Sequence, residues 1–494
     1  MGNSTIAAAN ECMNYQMSKK QRAFWITALL ISLLGSGAFA ARLPDMGEPV
    51  DRTLSPAEER EIGQAFWRQA NNALPLLRDP ELEEYLQSLG ERLLAGARTQ
   101  SRDFRFFLIN DPSINAFAVP GGYIGVNTGL IQTFGEEHLL AGVLAHEIAH
   151  VTQRHHARAY EAASTSGLTT AAAIIAAIIV GQNSPDAGTA ALATGMAVSQ
   201  QSQINYTRAN EYEADRIGID ILASAGFDPD GMAGAFDILN RNNAISRSGS
   251  TMQLEYLQTH PLSSNRVAEA RNRAANLRRG GDRDSRDYDL FRTRMQVLSA
   301  SNQTTLAERF RRNDPKLTQP QTRYALALIE ALRGHPEKGL TLLGDSQSGT
   351  TLTEQLLRAR LLFQTGDVET ATTQLNELIA LYPDRYSPVD TLAGLLRERG
   401  ELDAAYQTLN GYSQRNTTPS IQVWRDLAAV ESSRGNHGRS HDFLATWFEA
   451  QDMSGEAARQ LELALRQSDL TPSETLRVEA RLKQLKDNRA DNRS

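Results

Sequence analysis

The segment His146-Glu147-Ile148-Ala149-His150 places two histidines four residues apart in a run that contains no proline. The run covers residues 136–158, and its apolar side chains recur at helical spacing. They are Leu139, Leu140, Val143, Leu144, Ile148 and Val151. Residues four apart lie on one face of a helix, so both imidazoles can point at a single cation. We therefore predict a helix over this run with a metal site on one of its faces.

A second helical segment, residues 208–218, can supply the remaining ligand. It carries Glu211 and Asp215 four residues apart. A catalytic zinc needs three protein ligands and one open position. One carboxylate can therefore bind the metal, while the other hydrogen-bonds a ligand histidine and fixes its tautomer. Glu147 is placed to act on a metal-held water rather than to bind the metal.

The combination of H-E-x-x-H with a downstream E-x-E-A-D-x-x-G resembles the Ste24/HtpX-type zinc metallopeptidases. The resemblance implies that His146, His150 and Glu211 bind one zinc ion. It also implies that Glu147 and Asp215 are catalytic-site residues, the first as general base and the second behind the ligands. Zinc and water suffice for peptide hydrolysis, so we expect a zinc metalloendopeptidase without an organic cofactor.

Length and charge limit the alternatives. A chain of 494 residues is long enough for two or three domains. Charged residues make up 22% and hydrophobic residues 41% of the sequence, which is typical of a globular protein. The formal net charge of −7 gives no general attraction to nucleic acid, so we expect no nucleic-acid partner.

Residues 1–40 have the pattern of a cleavable signal peptide. Lys19, Lys20 and Arg22 precede an apolar stretch at 23–34, and a small-x-small site follows at 38–40. Met17 is an alternative start. Cleavage would remove Cys12, which is the single cysteine, so the mature chain would fold without disulfides. We expect the mature protein in the periplasm.

We assign residues 55–278 to the metallopeptidase domain. It should begin with a helix at Pro56, where Ser55 and Glu58 have the spacing of a capping box. Residues 104–110 and 116–126 are typical of short strands, with a turn at 120–122. In zinc peptidases an edge strand often aligns the substrate backbone. Ala116, Phe117 and Ala118 are therefore candidate substrate contacts, with plain sheet core as the equal alternative.

Residues 168–198 contain two apolar runs of about a dozen residues, each too short to span a bilayer. We favour a packed helical hairpin. A lid over the active site, or a surface that makes peripheral contact with a membrane or an unfolded client, is the alternative.

The segment Thr259-His260-Pro261 with Arg266 resembles the T-H-P-x-x-x-x-R element of the periplasmic members of this family. The resemblance implies that His260 can reach the zinc from a loop. His260 is thus a candidate fourth ligand that keeps the enzyme latent, or else a hydrogen-bond donor that assists the reaction. Arg266 is a further candidate substrate contact.

The remainder is periodic. Residues 279–318 are predicted to form a linker and first helices, and residues 319–490 a repeat domain. Four glycines recur at intervals of 32, 34 and 35 residues: Gly334, Gly366, Gly400 and Gly435. Seven residues before each stands an alanine: Ala327, Ala359, Ala393 and Ala428. Small residues follow after five positions and leucines after nine: Gly339, Ala371, Ala405, Ser440, Leu343, Leu375, Leu409 and Leu444.

A period of about 34 residues resembles the tetratricopeptide repeat, with helices from Glu456 and Pro472 closing the array. The predicted fold class is α+β and mostly helical, with a zincin-like metallopeptidase domain followed by an all-α solenoid. The combination of this peptidase domain, a signal peptide and C-terminal repeats resembles the periplasmic members of the peptidase family. That resemblance implies a protease and chaperone that acts on unfolded or misfolded outer-membrane proteins and engages the beta-barrel assembly machinery through its repeats. The alternative is mainly a chaperone or adaptor with a normally latent zinc site.

Overall fold

The computed structural model describes residues 54–97, 99, 104–164, 200–247, 255–277, 280, 286–312, 319–344 and 350–491. The expected signal peptide and the apolar runs of residues 168–198 lie outside these ranges. None of the helices within them has the length and apolar character needed to cross a bilayer.

The first part of the chain combines helices with one small sheet. Its elements are α1 (Pro56–Ala73), α2 (Pro80–Ala97), β1 (Arg105–Ile109), β2 (Ala116–Val119), β3 (Tyr123–Asn127), α3 (Thr128–Thr133), α4 (Glu137–Thr152), α5 (His155–Ser164), α6 (Gln200–Ser224), α7 (Gly231–Arg247), α8 (Tyr256–Thr259) and α9 (Ser264–Ala275).

Helix α1 begins where the sequence predicts. The Ser55 hydroxyl accepts a hydrogen bond from the Glu58 backbone N–H, and the Glu58 carboxylate accepts one from the Ser55 N–H at 2.7 Å. These two bonds satisfy backbone donors that a helix start leaves free. The capping box is therefore confirmed.

The predicted strands are confirmed, with residues 116–126 forming a hairpin of two strands. The sheet order is β1-β3-β2, in which β1 is parallel and β2 antiparallel to β3. Gly121 and Gly122 make the turn with φ values of 84° and 88°, which side chains disfavour. Side chains alternate between two apolar cores: Phe107 and Phe117 pack towards α1, whereas Phe106 and Ile124 face the core of α2 and α4.

The predicted helix over residues 136–158 is interrupted, so that expectation was wrong at its C-terminal end. Helix α4 ends at Thr152, and Arg154 has a left-handed φ of 52°. For a non-glycine residue this backbone conformation is unfavourable by ~1–2 kcal/mol. The Arg154 guanidinium stabilises the break, because it donates a hydrogen bond of 2.8 Å to the Glu59 carboxylate and another to the Leu54 carbonyl. The chain then restarts as α5 in a new direction.

The second part of the chain is helical throughout its described ranges. Its elements are α10 (Arg286–Ser299), α11 (Gln303–Arg311), α12 (Gln319–Leu332), α13 (Pro336–Leu343), α14 (Leu352–Gln364), α15 (Val368–Leu381), α16 (Ser387–Glu398), α17 (Leu402–Arg415), α18 (Gln422–Ser433), α19 (His437–Glu449), α20 (Ser454–Ala464) and α21 (Pro472–Asp491).

The glycine and alanine columns of the repeats are confirmed, and of the predicted leucine column Leu375 and Leu409 are buried, whereas Leu343 and Leu444 are partly exposed. The four periodic glycines all have positive φ and separate the two helices of a pair: Gly334, Gly366, Gly400 and Gly435. The alanines before them are at most 4% exposed: Ala327, Ala359, Ala393 and Ala428. Helices cross closely at the next column, since a Cβ at Gly339 would lie 2.8 Å from the Leu361 side chain. Helices α20 and α21 close the array as predicted.

The start of α2 and the residue before it contact both the first helix after the peptidase part and the repeats. Asp79 and Glu81 pair with Arg294 of α10 at 2.8 and 2.9 Å. The Glu84 carboxylate accepts hydrogen bonds from the Ser387 N–H and hydroxyl, at 3.1 and 2.7 Å, and so caps α16. We call this set of residues the interdomain contact.

Candidate metal centre

Helices α4 and α6 bring the three predicted ligands together. The Nε2 atoms of His146 and His150 lie 3.0 Å apart. Glu211 of α6 approaches both, with Oε2 at 3.4 Å from His146 Nε2 and Oε1 at 3.3 Å from His150 Nε2. All three side chains are buried. One cation could bind between these atoms.

Helix α4 packs closely against α6 and α7 because glycines stand at these contacts. A Cβ on Gly218 would lie 3.1 Å from the His146 backbone nitrogen. A Cβ on Gly142 would lie 2.8 Å from the Met232 backbone of α7. The final glycine of the E-x-E-A-D-x-x-G motif therefore sets the distance between the glutamate and the histidines.

His260 lies in the same cluster. It follows the short helix α8, and its Nδ1 is 3.3 Å from His146 Nε2 and 3.1 Å from Glu211 Oε1. The Tyr256 ring stacks on it at 4.6 Å between centroids. The ligand atoms of His146, His150, Glu211 and His260 all lie within 4.8 Å of one another. Imidazole nitrogens with one carboxylate are a donor set that suits a divalent transition metal, so these residues fit a metal ion.

Asp215 and Arg266 lie behind the ligands. Asp215 Oδ1 is 3.0 Å from His146 Nδ1, the nitrogen that faces away from the cluster. The Arg266 guanidinium donates two hydrogen bonds of 2.7 Å to Asp215, and it contacts Glu211 Oε2 at 2.8 Å. It also donates to the Pro261 carbonyl at 2.9 Å. Arg266 therefore orders both carboxylates and the His260 loop. Its role as a substrate contact stays a prediction.

Glu147 points into the cluster from α4. It is 1% exposed, and its Oε1 lies 3.5 Å from His260 Nε2. Within the part of the chain that the structure describes, this oxygen has no hydrogen-bond partner. A buried carboxylate oxygen without a donor is suited to accept a proton from a water molecule in the centre.

Burial and neighbouring charges divide the titrating groups. Burial opposes ionisation of Glu211, but His260, His146 and His150 outweigh it and hold its pKa well below the usual range. Burial likewise disfavours the ionised form of Asp215, yet hydrogen bonds from Arg266 and His146 lower its pKa. Burial raises the pKa of Glu147. Glu211 and Asp215 are therefore ionised, whereas Glu147 is more basic than an ordinary glutamate.

The strand candidates lie at the edge of the sheet. Within the described ranges β2 pairs with β3 alone, and it packs against α4. The side chains of Ala116, Phe117 and Ala118 are buried in the two cores, so any contact with a substrate would be made by their backbone.

Two residues near the centre were missed from the sequence. His155 Nδ1 lies 2.9 Å from His150 Nδ1, and His155 Nε2 lies 3.2 Å from Glu213 Oε2. The only available signal in the sequence was the pair His155-His156 after the helix. The helix is interrupted at Arg154, which turns His155 inward, and no glycine or proline marks that interruption in the sequence.

Known proteins resemble this chain, one of them over nearly its whole length. Residues 80–274 match Peptidase family M48. The beta-barrel assembly-enhancing protease of Escherichia coli (strain K12) is 34% identical over 487 residues, covering 95% of this chain and 97% of the relative. The protein of that name from Yersinia pestis is 37% identical over 294 residues, covering 57% of this chain and 60% of the relative. The mitochondrial metalloendopeptidase OMA1 of Arabidopsis thaliana is 29% identical over 172 residues, covering 35% and 32%. The chain therefore belongs to peptidase family M48 and, within it, to the beta-barrel assembly-enhancing proteases.

Proposed function

We propose that this metalloendopeptidase is a zinc enzyme of the periplasm that degrades misfolded or stalled outer-membrane proteins and supports their assembly as a chaperone. The observation that carries the proposal is the buried cluster of three imidazoles and one carboxylate beside Glu147. The name of the relatives, which refers to beta-barrel assembly, supports the substrate class.

His146, His150 and Glu211 would hold the zinc. When bound, the ion would polarise the scissile carbonyl and acidify a water molecule. Glu147 takes the proton from that water and later passes it to the leaving amine. Its burial favours this role, because a carboxylate with a raised pKa is a stronger base. Asp215 keeps the His146 proton on Nδ1, so that the Nε2 lone pair faces the metal.

The position of β2 at the edge of the described sheet supports a substrate in extended conformation. A client segment that added to this edge would run beside α4 and bring a peptide bond towards Glu147. Unfolded β-barrel proteins are rich in segments of that kind. The repeats would bind the beta-barrel assembly machinery, and any membrane contact would be peripheral.

His260 supports a latent resting state. Three imidazoles and one carboxylate would supply all four ligands of a zinc ion, which would leave no position for the nucleophilic water. The His260 loop must therefore withdraw before catalysis, and client binding would supply the free energy. If closure is favoured by ~2–3 kcal/mol, ~1–3% of molecules are open at rest.

A second candidate function follows from the same closed geometry. The protein could act mainly as a chaperone or adaptor whose zinc site is normally shut. Replacing Glu147 by Gln separates the two functions, because it removes hydrolysis and leaves the repeats intact. Full complementation of an assembly defect by Glu147→Gln would favour the adaptor.

The substitution His260→Ala tests latency on the purified protein. Casein hydrolysis and self-cleavage should rise by up to tens of fold, because the water position becomes permanently available. Activity that falls to the level of Glu147→Gln would instead make His260 a hydrogen-bond donor to the transition state.

Substrate class is tested by trapping clients in cells on the Glu147→Gln protein. Outer-membrane β-barrel proteins should accumulate in the trapped complexes. The double variant Glu147→Gln/Ala393→Trp, which distorts the repeats, is the control for recruitment through them. Complexes that contain soluble periplasmic proteins and no β-barrel proteins would contradict the proposed substrate.

A further inference from the structure

The second ring nitrogen of each predicted ligand histidine has a different partner. For His146 the partner is the Asp215 carboxylate. His150 has no carboxylate on its Nδ1; the His155 Nδ1 lies there instead, at 2.9 Å. If the His150 Nε2 lone pair faces the metal, its Nδ1 carries the proton and donates it, so His155 Nδ1 must accept.

That requirement fixes the tautomer of His155 and indicates that Glu213 accepts a hydrogen bond from its proton-bearing nitrogen. An accepting Nδ1 leaves the proton of a neutral His155 on Nε2, which lies 3.2 Å from Glu213 Oε2. Glu213 is two residues from Glu211 and therefore about 200° around α6 from it. It cannot face the metal position itself, and His155 bridges the distance.

The interruption after α4 makes this contact possible. On an unbroken helix His155 would lie about 140° around the axis from His150, five residues earlier. The left-handed Arg154 redirects the chain, and His155 returns against His150 with 3% of its side chain exposed. An unfavourable backbone conformation held by two side-chain bonds is the kind of feature that is kept for a site.

We infer that His155 and Glu213 are positioning residues that hold His150 in the orientation and tautomer required for metal binding. Helix α6 would then serve both ligand histidines: Asp215 contacts His146 directly, and Glu213 acts on His150 through His155. The middle glutamate of the E-x-E-A-D motif acquires a role at the centre. The inference rests on the ligand set of the proposed function.

A purely structural role for Glu213 is the competing explanation. Arg158 of α5 donates to the same Glu213 oxygen at 2.8 Å, so this ion pair alone could attach α5 to α6. Both side chains are about one-third exposed, at 31% and 34%. Arg158→Gln removes the ion pair and leaves the hydrogen bond from His155, and it is therefore the matched control.

The test measures the zinc dissociation constant of the full chain by competition with a chromogenic chelator. His155→Phe keeps a ring but removes the acceptor, and Glu213→Ala removes the carboxylate. Each should weaken zinc binding ~10–100-fold. His155→Asn offers an amide oxygen near the position of Nδ1 and should recover most of the affinity. Arg158→Gln should bind zinc within a few fold of the unchanged protein.

The outcomes separate the explanations. Unchanged zinc affinity in Glu213→Ala, which replaces a partly exposed side chain and should fold, would overturn the inference. Equal losses in Arg158→Gln and Glu213→Ala would also overturn it, in favour of the structural role. Glu211→Ala is measured in parallel: if it binds zinc as tightly as the unchanged chain, the proposed ligand set fails, whatever the His155 variants show.

Discussion

The metal centre and the interdomain contact both bury carboxylates, but neighbouring cations outweigh burial at more of the acids in the centre than in the contact. In the centre, imidazoles and Arg266 lower the pKa of Glu211 and Asp215 despite burial. In the interdomain contact, Arg294 lowers the pKa of Asp79 despite burial, whereas burial dominates at Glu81 and raises its pKa to about 7. Glu83, on the same helix, also has its pKa raised to about 7 by burial.

This difference separates what each region does. The centre holds Glu211 and Asp215 ionised, which prepares it for a cation, and leaves Glu147 as the more basic acid. The interdomain contact holds two parts of the chain together through buried carboxylates, and the positive charge of Arg294 compensates their charge only in part. Substitutions in the centre should therefore remove metal and activity, whereas substitutions in the contact should lower stability and leave the metal in place.

The largest expected effect on stability comes from Arg294→Met. The Arg294 side chain is 5% exposed and pairs with both Asp79 and Glu81. Its loss removes the cation that pairs with both buried carboxylates and leaves only the electrostatic attraction of Arg360, which should lower the free energy of unfolding by ~3–5 kcal/mol. Urea denaturation measures the loss, and the zinc content should stay the same.

The exposed pair of Arg312 and Glu308 provides the control. Arg312 is 82% exposed and its pair distance is 3.9 Å. Arg312→Met should therefore change the unfolding free energy by less than ~1 kcal/mol. Equal effects of the two substitutions would mean that the interdomain contact is not a buried ion pair in solution.

A smaller effect is expected from Glu84→Ala, which removes the cap of α16. A missing helix cap lowers stability by ~0.5–2 kcal/mol. Asp367→Ala removes the local cap of α15, where the carboxylate accepts from the Thr370 N–H. Hydrogen exchange should show faster opening of both α2 and α16 in Glu84→Ala. In Asp367→Ala it should show faster opening of the repeat that contains α15, and no change in α2. Protection of α2 that is unchanged in Glu84→Ala would contradict the contact.

A further expected effect is a dependence of stability on pH. Burial and the nearby Asp426 raise the pKa of Asp390 in α16 from 3.8 to about 7, against the attraction of Arg360 and Arg425. A carboxyl group with a raised pKa stabilises the fold fully below pH of about 4, and this contribution is lost as the pH rises through about 7.

Asp390→Asn removes this titration. Its melting temperature should fall less than that of the unchanged chain between pH 5.5 and 8. Glu369→Gln, at an exposed position of α15, is the control and should follow the unchanged chain. Parallel melting curves for Asp390→Asn and the unchanged chain would show that Asp390 does not titrate in this range.

The comparison also explains which features were predictable from the sequence. Ser55 and Glu58, His146 and His150, and the columns of Ala359 and Gly366 each act within one helical turn or one repeat. Such spacing is visible in the sequence because the local structure is regular. The fold class and the H-E-x-x-H cluster therefore followed directly.

Features that depend on residues far apart were not predictable. Arg294 and Asp79 are separated by 215 positions, and Ser387 and Glu84 by 303. No periodicity relates such pairs, and charged residues on a helix are normally solvated. The position of His155 depends on a change in chain direction that tertiary bonds of Arg154 stabilise. Both cases need the packed structure.

The central claim is that Glu211 binds the metal whereas Glu147 transfers the proton, and one paired measurement tests it. Zinc content and casein hydrolysis are determined together for Glu147→Gln and Glu211→Gln, each with His260→Ala so that the site is open. Glu147→Gln should retain about one zinc per chain and lose ~10²–10⁴-fold of its activity. Glu211→Gln should lose both. Full zinc occupancy in Glu211→Gln, or undiminished hydrolysis in Glu147→Gln, would contradict the assignment.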